Sequence, residues 1–165
     1  MKIIVALDSF KSSIAAADAC KAVADAVKQQ RPFAQILLKP MADGGEGTAK
    51  AMLAARGGRW IARQVMGPLT QMRIGAGFAW FEQQKEALVE MACASGIELL
   101  RTEQLNPLET TTFGTGQLIK AAAEFGAKKI LLAVGGSATV DCGIGSAMAL
   151  GWKFLDAAGR EVPYG

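Results

Sequence analysis

Apolar runs of strand length alternate with helical patterns in the first sixty residues of the chain. Residues 3–7 and 35–39 are short apolar runs typical of buried parallel strands. Residues 14–28 and 49–55 are alanine-rich and of helical length, and Gly57-Gly58 ends the second of them. This β-α-β-α order predicts parallel strands joined by a right-handed crossover.

The pattern changes in the middle of the chain. Residues 60–65, 72–81 and 87–91 read as strands that are separated by short turns, which favours antiparallel hairpins. A helix at 117–125, a strand at 129–134 and a helix ending at Leu150 then restore the α/β pattern, and residues 152–162 read as a closing hairpin. The sequence therefore predicts an α/β fold with two domains, residues 1–65 and residues 66–165.

Composition excludes several classes of protein. The chain has 165 residues, of which 51% are hydrophobic, so it is not intrinsically disordered. Its net charge of +3 is scattered and no aromatic stacking platform appears, so we expect no nucleic-acid partner. The longest apolar runs have strand length, so we expect no membrane partner. An odd number of cysteines without metal-ligand spacing indicates a reduced, cytoplasmic setting.

The chain contains no histidine. This removes the commonest general base, the usual zinc ligand and the Ser-His-Asp and Cys-His arrangements. Chemistry must therefore use carboxylates, lysine, arginine, hydroxyls and backbone amides.

The loop after the first strand contains Asp8, Ser9 and Lys11. Ligands of open α/β sheets bind at the carboxyl ends of strands, and helix N-termini attract anions. The loop is therefore either a phosphate or carboxylate clamp, or a capped helix start in which Asp8 and Ser12 cap and Lys11 is solvated.

The run from Met41 to Thr48 contains two carboxylates, Asp43 and Glu46, among three glycines. The pair has the hard oxygen ligands that suit Mg²⁺. Alternatively, one carboxylate accepts the proton of a substrate hydroxyl. A third interpretation is that Asp43 caps the following helix and Glu46 lies near its positive end.

Two further loops combine glycine with hydroxyl or carboxylate side chains. The first comprises residues 110–116 and the second residues 135–141, which ends at Asp141. Each is either an anion cradle of amides and hydroxyls or an ordinary tight turn before a helix. The second loop lacks the Gly-Lys-Ser/Thr of a Walker A loop and the third glycine of a dinucleotide fingerprint.

Together these strings resemble the bacterial glycerate kinase family, of the type encoded with glycerate and sugar-diacid breakdown. The matching segments follow the family's order and spacing over the whole chain, at residues 8–11, 40–48, 65–69, 90–96, 106–116 and 135–141. The chain departs from the family at three positions. Leu7 lies where the family usually has Pro, Ser12 where it usually has Gly or Glu, and Cys142 where it usually has Gly.

The resemblance implies a fold in two incomplete parts. Family members are more than twice as long, so the chain corresponds to their amino-terminal portion. Residues 1–65 would then belong to an incomplete flavodoxin- or Rossmann-like parallel-sheet domain, and residues 66–165 would begin an inserted mixed α/β domain. Self-association or a missing carboxy-terminal half is the expected partner. Two alternatives stay open for the chain alone: a non-catalytic glycerate-binding module and an orphan kinase fragment.

The resemblance also implies a reaction, the transfer of the γ-phosphoryl group of ATP to D-glycerate with Mg²⁺, giving 2-phosphoglycerate. Asp43 is the first choice for the carboxylate near the hydroxyl or the metal, followed by Asp8 and Asp141, while Asp43 and Glu46 are the metal candidates. Lys11 would contact phosphate or the glycerate carboxylate. The remaining candidates are the residues expected to bind substrate or phosphate: Ser9, Gly44, Gly45, Glu46, Thr112, Gly114, Thr115, Gly116, Gly135, Gly136, Ser137 and Thr139.

Overall fold

Residues 1–10 and 13–163 are described by a computed structural model. The strands are β1 (Lys2–Val5), β2 (Gln35–Leu38), β3 (Arg59–Met66), β4 (Arg73–Phe81), β5 (Glu86–Glu90) and β6 (Lys129–Ala133). The helices are α1 (Ala16–Gln30), α2 (Thr48–Arg56), α3 (Ala92–Ser95), α4 (Phe113–Glu124) and α5 (Ile144–Ala149). Two short 3₁₀ turns lie at Ile97–Leu99 and Thr102–Gln104.

The strands form two sheets, one parallel and one mixed. β1 and β2 pair in parallel, with Lys2 opposite Gln35 and Val5 opposite Leu38. The second sheet has the order β3-β4-β5-β6, in which the first two pairings are antiparallel and β5-β6 is parallel. The predicted α/β class is confirmed, since helices accompany a parallel and a mixed sheet. The four-stranded sheet begins at Arg59, before the predicted boundary at residue 66, and the division into two domains stays a prediction.

Two helices cover the four-stranded sheet on opposite faces. Phe78 and Trp80 of β4 pack with Leu118 of α4, whereas Ala79 and Phe81 pack with α2. Successive strand residues point to opposite faces, so covering both faces buries β4 from residue 76 to residue 81. This explains why the sequence shows a continuous apolar run there rather than an alternating one.

Two predicted elements differ from the structure. α4 begins at Phe113, four residues before the predicted start, because Gly114, Thr115 and Gly116 form its first turns. The closing hairpin keeps its antiparallel pairing, with Leu155 opposite Glu161, but it is shorter than predicted and forms a bridge rather than two strands. Within the described part of the chain, no helix is both long and apolar enough to cross a membrane.

Candidate active site

Loops from both sheets meet around a cleft of about 870 Å³. The segment after β1, the glycine-carboxylate turn before α2, the segment 92–99 and the turn after β6 form its walls. Seven residues predicted for the site line this cleft: Asp8, Ser9, Asp43, Gly45, Glu46, Gly135 and Gly136. Strand-end loops that lie far apart in the sequence thus meet at one place.

Asp8 and Ser9 lie exposed at one side of the cleft. The Ser9 amide donates a hydrogen bond to Asp8 Oδ1 at 2.6 Å, which orients the carboxylate at the end of β1. Lys11 and Ser12, which the sequence associates with the same loop, lie outside the described residues.

The turn before α2 is held partly by its own side chains. The Gly45 amide donates to Asp43 Oδ1 at 3.1 Å, and Thr48 Oγ1 donates to the Gly45 carbonyl at 2.8 Å. Gly44 and Gly47 have φ values of 96° and 85°, in the left-handed region that glycine tolerates best. Asp43 therefore stabilises the turn while its carboxylate stays exposed at the cleft.

The amino-terminal end of α2 receives a carboxylate from a distant strand. Gly47 at the N-cap has no side chain to cap the helix, and the Ala49 amide donates to Glu90 Oε1 at 2.5 Å. Because Glu90 occupies the helix end, the interpretation in which Asp43 caps α2 is not what the structure shows. Asp43 and Glu46 both line the cleft instead.

The turn after β6 lies directly against the turn before α2. The Gly135 amide donates to the Gly44 carbonyl at 2.9 Å. A Cβ on Gly135 would lie 2.7 Å from Gly45 Cα, closer than side chains approach a backbone. Gly136 has φ 73°, and its carbonyl accepts the Ile97 amide at 2.9 Å. Glycine is therefore required at 135 for the approach of two backbones.

Glu46 faces a second carboxyl group, that of Glu98. A side-chain hydrogen bond with Glu98 raises the pKa of Glu46 above its ordinary value, and burial and the charges of Glu98 and Glu90 raise it further. Two neighbouring acidic side chains form a place where a divalent cation would relieve the repulsion between their charges. No group of three or more His, Cys, Asp or Glu side chains suited to a metal occurs among residues 1–10 and 13–163.

Thr112 and Asp141 form an internal hydrogen-bond cluster instead of lining the cleft. Asp141 Oδ2 accepts from the Thr112 amide at 2.9 Å, from Thr112 Oγ1 at 2.8 Å and from the Gly145 amide at 3.1 Å. Its other oxygen accepts the Gly143 amide at 3.1 Å. Asp141 therefore fastens the segment before α4 to the start of α5.

Gly114, Thr115 and Gly116 are buried in the first turns of α4. A side chain at Gly114 would collide with the Met66 carbonyl, and one at Gly116 would collide with the backbone of Ser146. Thr115 Oγ1 lies 2.8 Å from Ser95 Oγ. These residues allow α4 to pack closely against its neighbours.

Ser137 and Thr139 bond to each other within the turn after β6. Their hydroxyl oxygens lie 2.6 Å apart, and the Thr139 amide donates to Ser137 Oγ at 3.0 Å. In the same segment, Cys142 has φ 52°. It thus adopts the left-handed backbone that favours the glycine usual in the family at this position.

Among the cleft residues that the sequence analysis missed, three have charged or thiol side chains: Lys50, Glu98 and Cys93. Lys50 follows the helical spacing of Gly47, Ala51 and Ala54, which all line the cleft, so the orientation of α2 would have revealed it. No sequence signal marks Glu98. Burial raises the pKa of the Cys93 thiol to about 12, aided by its hydrogen bond to Glu90, which argues against a nucleophilic thiolate.

Comparison with known proteins identifies relatives of this chain. The sequence pattern described as the glycerate kinase family matches residues 3–165. Glycerate 2-kinase of Escherichia coli strain K12 is 44% identical over 165 residues, which are 100% of this chain and 43% of that protein. Glycerate kinase of Bacillus subtilis strain 168 is 44% identical over 162 residues, which are 98% of this chain and 42% of that protein.

The fold has a counterpart among solved structures. A crystal structure described as a glycerate kinase 2 from Salmonella typhimurium LT2 is 41% identical, with a TM-score of 0.80 over 100% of this chain and 44% of that one. The chain thus spans less than half the length of these relatives. Because the family pattern covers nearly every residue, the chain belongs to the glycerate kinase family.

Proposed function

We propose that this chain supplies the cleft in which a glycerate kinase transfers the γ-phosphoryl group of ATP to D-glycerate, giving 2-phosphoglycerate. The observation that carries the proposal is the meeting of Asp8, Asp43 and the Gly135-Gly136 turn around one cleft. Phosphoryl transfer depends on positioning and on neutralising charge rather than on a covalent nucleophile. Carboxylates, a lysine and glycine turns at one cleft suit that chemistry, and histidine is not needed.

Asp43 is the residue we assign to the reacting hydroxyl. Its exposed carboxylate lines the cleft and is oriented by the Gly45 amide at 3.1 Å. A carboxylate at this place can hold the glycerate hydroxyl and accept its proton. Asp8, fixed by the Ser9 amide, is the second candidate for this contact.

Cationic and amide groups of the cleft suit the anionic ends of the substrates. Lys50 lines the cleft beside the turn before α2. Lys11 retains its proposed contact with phosphate or with the glycerate carboxylate. Ser137 and Thr139 act indirectly in this proposal, because their bond holds the turn after β6. Asp141 and Thr112 also act indirectly, because they tie the segment that follows this turn to the start of α4.

Mg²⁺ is part of the proposal. It commonly binds through one or two carboxylates together with substrate phosphates, and it neutralises charge on the transferred group. The donor chemistry fits, because Glu46 and Glu98 bring two carboxyl groups together at the cleft and Asp43 lies on the same turn as Glu46. Glu46 and Asp43 would hold the ion together with oxygens of the substrate phosphates.

The test is a direct assay of the purified chain with ATP, Mg²⁺ and D-glycerate, in which ADP and phosphoglycerate are both followed. The proposal predicts equal amounts of ADP and 2-phosphoglycerate, with no phosphoglycerate when D-glycerate or Mg²⁺ is omitted. Binding of D-glycerate without release of ADP would contradict transfer by this chain alone and would favour the alternative of a glycerate-binding module. The E. coli glycerate 2-kinase serves as the assay control.

A further inference from the structure

Two buried glutamates connect β5 to the two ends of α2. Glu86 and Glu90 lie four residues apart on the same face of β5, and they are only 5% and 4% exposed. The three residues between them are apolar and buried. Carboxyl groups are costly to bury without partners, so their contacts define what they do.

Each glutamate contacts a different end of α2. Glu90 Oε1 accepts the Ala49 amide at 2.5 Å, and its Oε2 accepts Cys93 Sγ at 3.1 Å. Glu86 Oε1 accepts Arg56 Nη1 at 2.6 Å, and its Oε2 lies 3.1 Å from Lys129 Nζ. The helix is thereby held along β5 at its first turn and at its last.

The contact of Glu90 bears on the cleft because the turn before α2 carries Asp43 and Glu46. Gly47, the N-cap residue, has no side chain that could accept a helix amide, and the first turn of α2 contains no acidic residue. A carboxylate at a helix N-terminus is stabilised by the unpaired amides and by the helix dipole. With Glu90 in that place, Asp43 and Glu46 remain available to the cleft.

We propose that Glu90 is a positioning residue of the cleft: by binding the Ala49 amide it fixes the start of α2, and with it the turn that carries Asp43 and Glu46. The proposed consequence for ligands rests on the proposed function, whereas the effect on the turn does not. Glu90 itself is not among the described residues that line the cleft.

Amide hydrogen exchange of the full chain tests this proposal, with peptides that separate residues 43–50 from residues 53–58. Three variants distinguish the effect of the length of the side chain at position 90 from the effect of its charge. Glu90→Gln keeps an oxygen at the right distance, Glu90→Asp keeps the charge but is one methylene too short, and Glu86→Ala removes the matched contact at the other end of α2.

We expect Glu90→Asp to speed exchange in residues 43–50 about tenfold, with residues 53–58 and β4 within about twofold of the wild type. Glu90→Gln is expected to stay near the wild type, and Glu86→Ala is expected to affect residues 53–58 first. Unchanged exchange at 43–50 in Glu90→Asp, or equal acceleration throughout α2 and β4, would overturn the proposal.

A binding measurement separates this proposal from the proposed function. Isothermal titration of D-glycerate is expected to give weaker binding to Glu90→Asp than to Glu90→Gln, by about tenfold. Equal binding to the two variants would overturn the role of Glu90 in the cleft. If even the wild type does not bind D-glycerate, the proposed function fails, while the exchange experiment still decides whether Glu90 fixes the turn.

Discussion

The Gly135 amide donates a hydrogen bond to the Gly44 carbonyl at 2.9 Å, so the turn after β6 rests directly on the turn before α2. A Cβ on Gly135 would also lie 3.0 Å from that carbonyl oxygen. The two turns come from different sheets and are about ninety residues apart in the sequence. Because the turn before α2 carries Asp43 and Glu46, this backbone contact holds both carboxylates in the wall of the cleft.

Replacing Gly135 should therefore damage both stability and ligand binding. Gly135→Ala is expected to lower the free energy of unfolding by about 1–3 kcal/mol, because a methyl group is inserted into a closed contact. Denaturant unfolding measures this loss, and titration with D-glycerate measures the effect on the cleft. Gly75→Ala is the matched control, because a Cβ there meets only Gln64 Nε2 at 3.5 Å. A Gly135→Ala protein as stable as that control would contradict the close contact.

Lys50 should contribute to anion binding at the cleft. Lys50→Met keeps the length of the side chain but removes its charge, and it is expected to weaken D-glycerate binding about two- to fivefold, since an exposed charge acts through screened solvent. The difference should shrink as salt is added. Lys120→Met, on the exposed side of α4, is the control. Equal affinities of the wild type and Lys50→Met at low salt would exclude this role.

The sequence predicted the elements well where burial on both faces imposes a clear pattern, as in β4. The prediction of elements failed where glycine has two structural roles. Gly114 and Gly116 read as a loop signal, yet they are helical glycines that permit close packing against Met66 and Ser146. Glycine patterns alone cannot tell a ligand cradle from a tight helix contact.

Site prediction had a similar limit. Asp43, Glu46 and Gly135 were expected at one site, and the structure brings them to one cleft. Asp141, in contrast, uses both carboxylate oxygens for internal bonds. The contact between Glu90 and Ala49 spans 41 residues, so no local pattern could indicate it.

Acid should weaken the contact between Glu86 and Arg56 at the carboxyl-terminal end of α2. The hydrogen bond from Arg56 holds the pKa of Glu86 below its ordinary value of 4.5, and the bond from Lys129 adds to this. A lowered pKa means that the stabilisation is complete above pH 4.5 and is lost as the pH falls through the lower, folded-state pKa.

The variant Glu86→Gln isolates this contribution. At pH 7 it is expected to be less stable than the wild type by about 1–3 kcal/mol, a range reduced for the partial exposure of Arg56. The difference should narrow steadily below pH 4.5 when unfolding is measured as a function of pH. A constant difference down to pH 2 would show that charge pairing is not its source.

Cys142 should carry backbone strain that glycine would relieve. Its φ of 52° is unfavourable for a residue with a Cβ, so Cys142→Gly is expected to raise the free energy of unfolding by about 1 kcal/mol. Cys142→Ala keeps the Cβ and should leave stability nearly unchanged. Thermal or denaturant unfolding of both variants compares them. Equal stabilisation by glycine and alanine would attribute the effect to the thiol rather than to the backbone.

The central claim, that the turn before α2 carries the chemistry, is tested most directly by the rate of phosphoglycerate formation in Asp43→Asn beside the wild type. Asparagine keeps the oxygen that accepts the Gly45 amide, so the turn and the melting temperature should be preserved. Loss of the carboxylate is predicted to reduce kcat about a hundredfold or more. A folded Asp43→Asn protein with near-normal kcat would contradict the account.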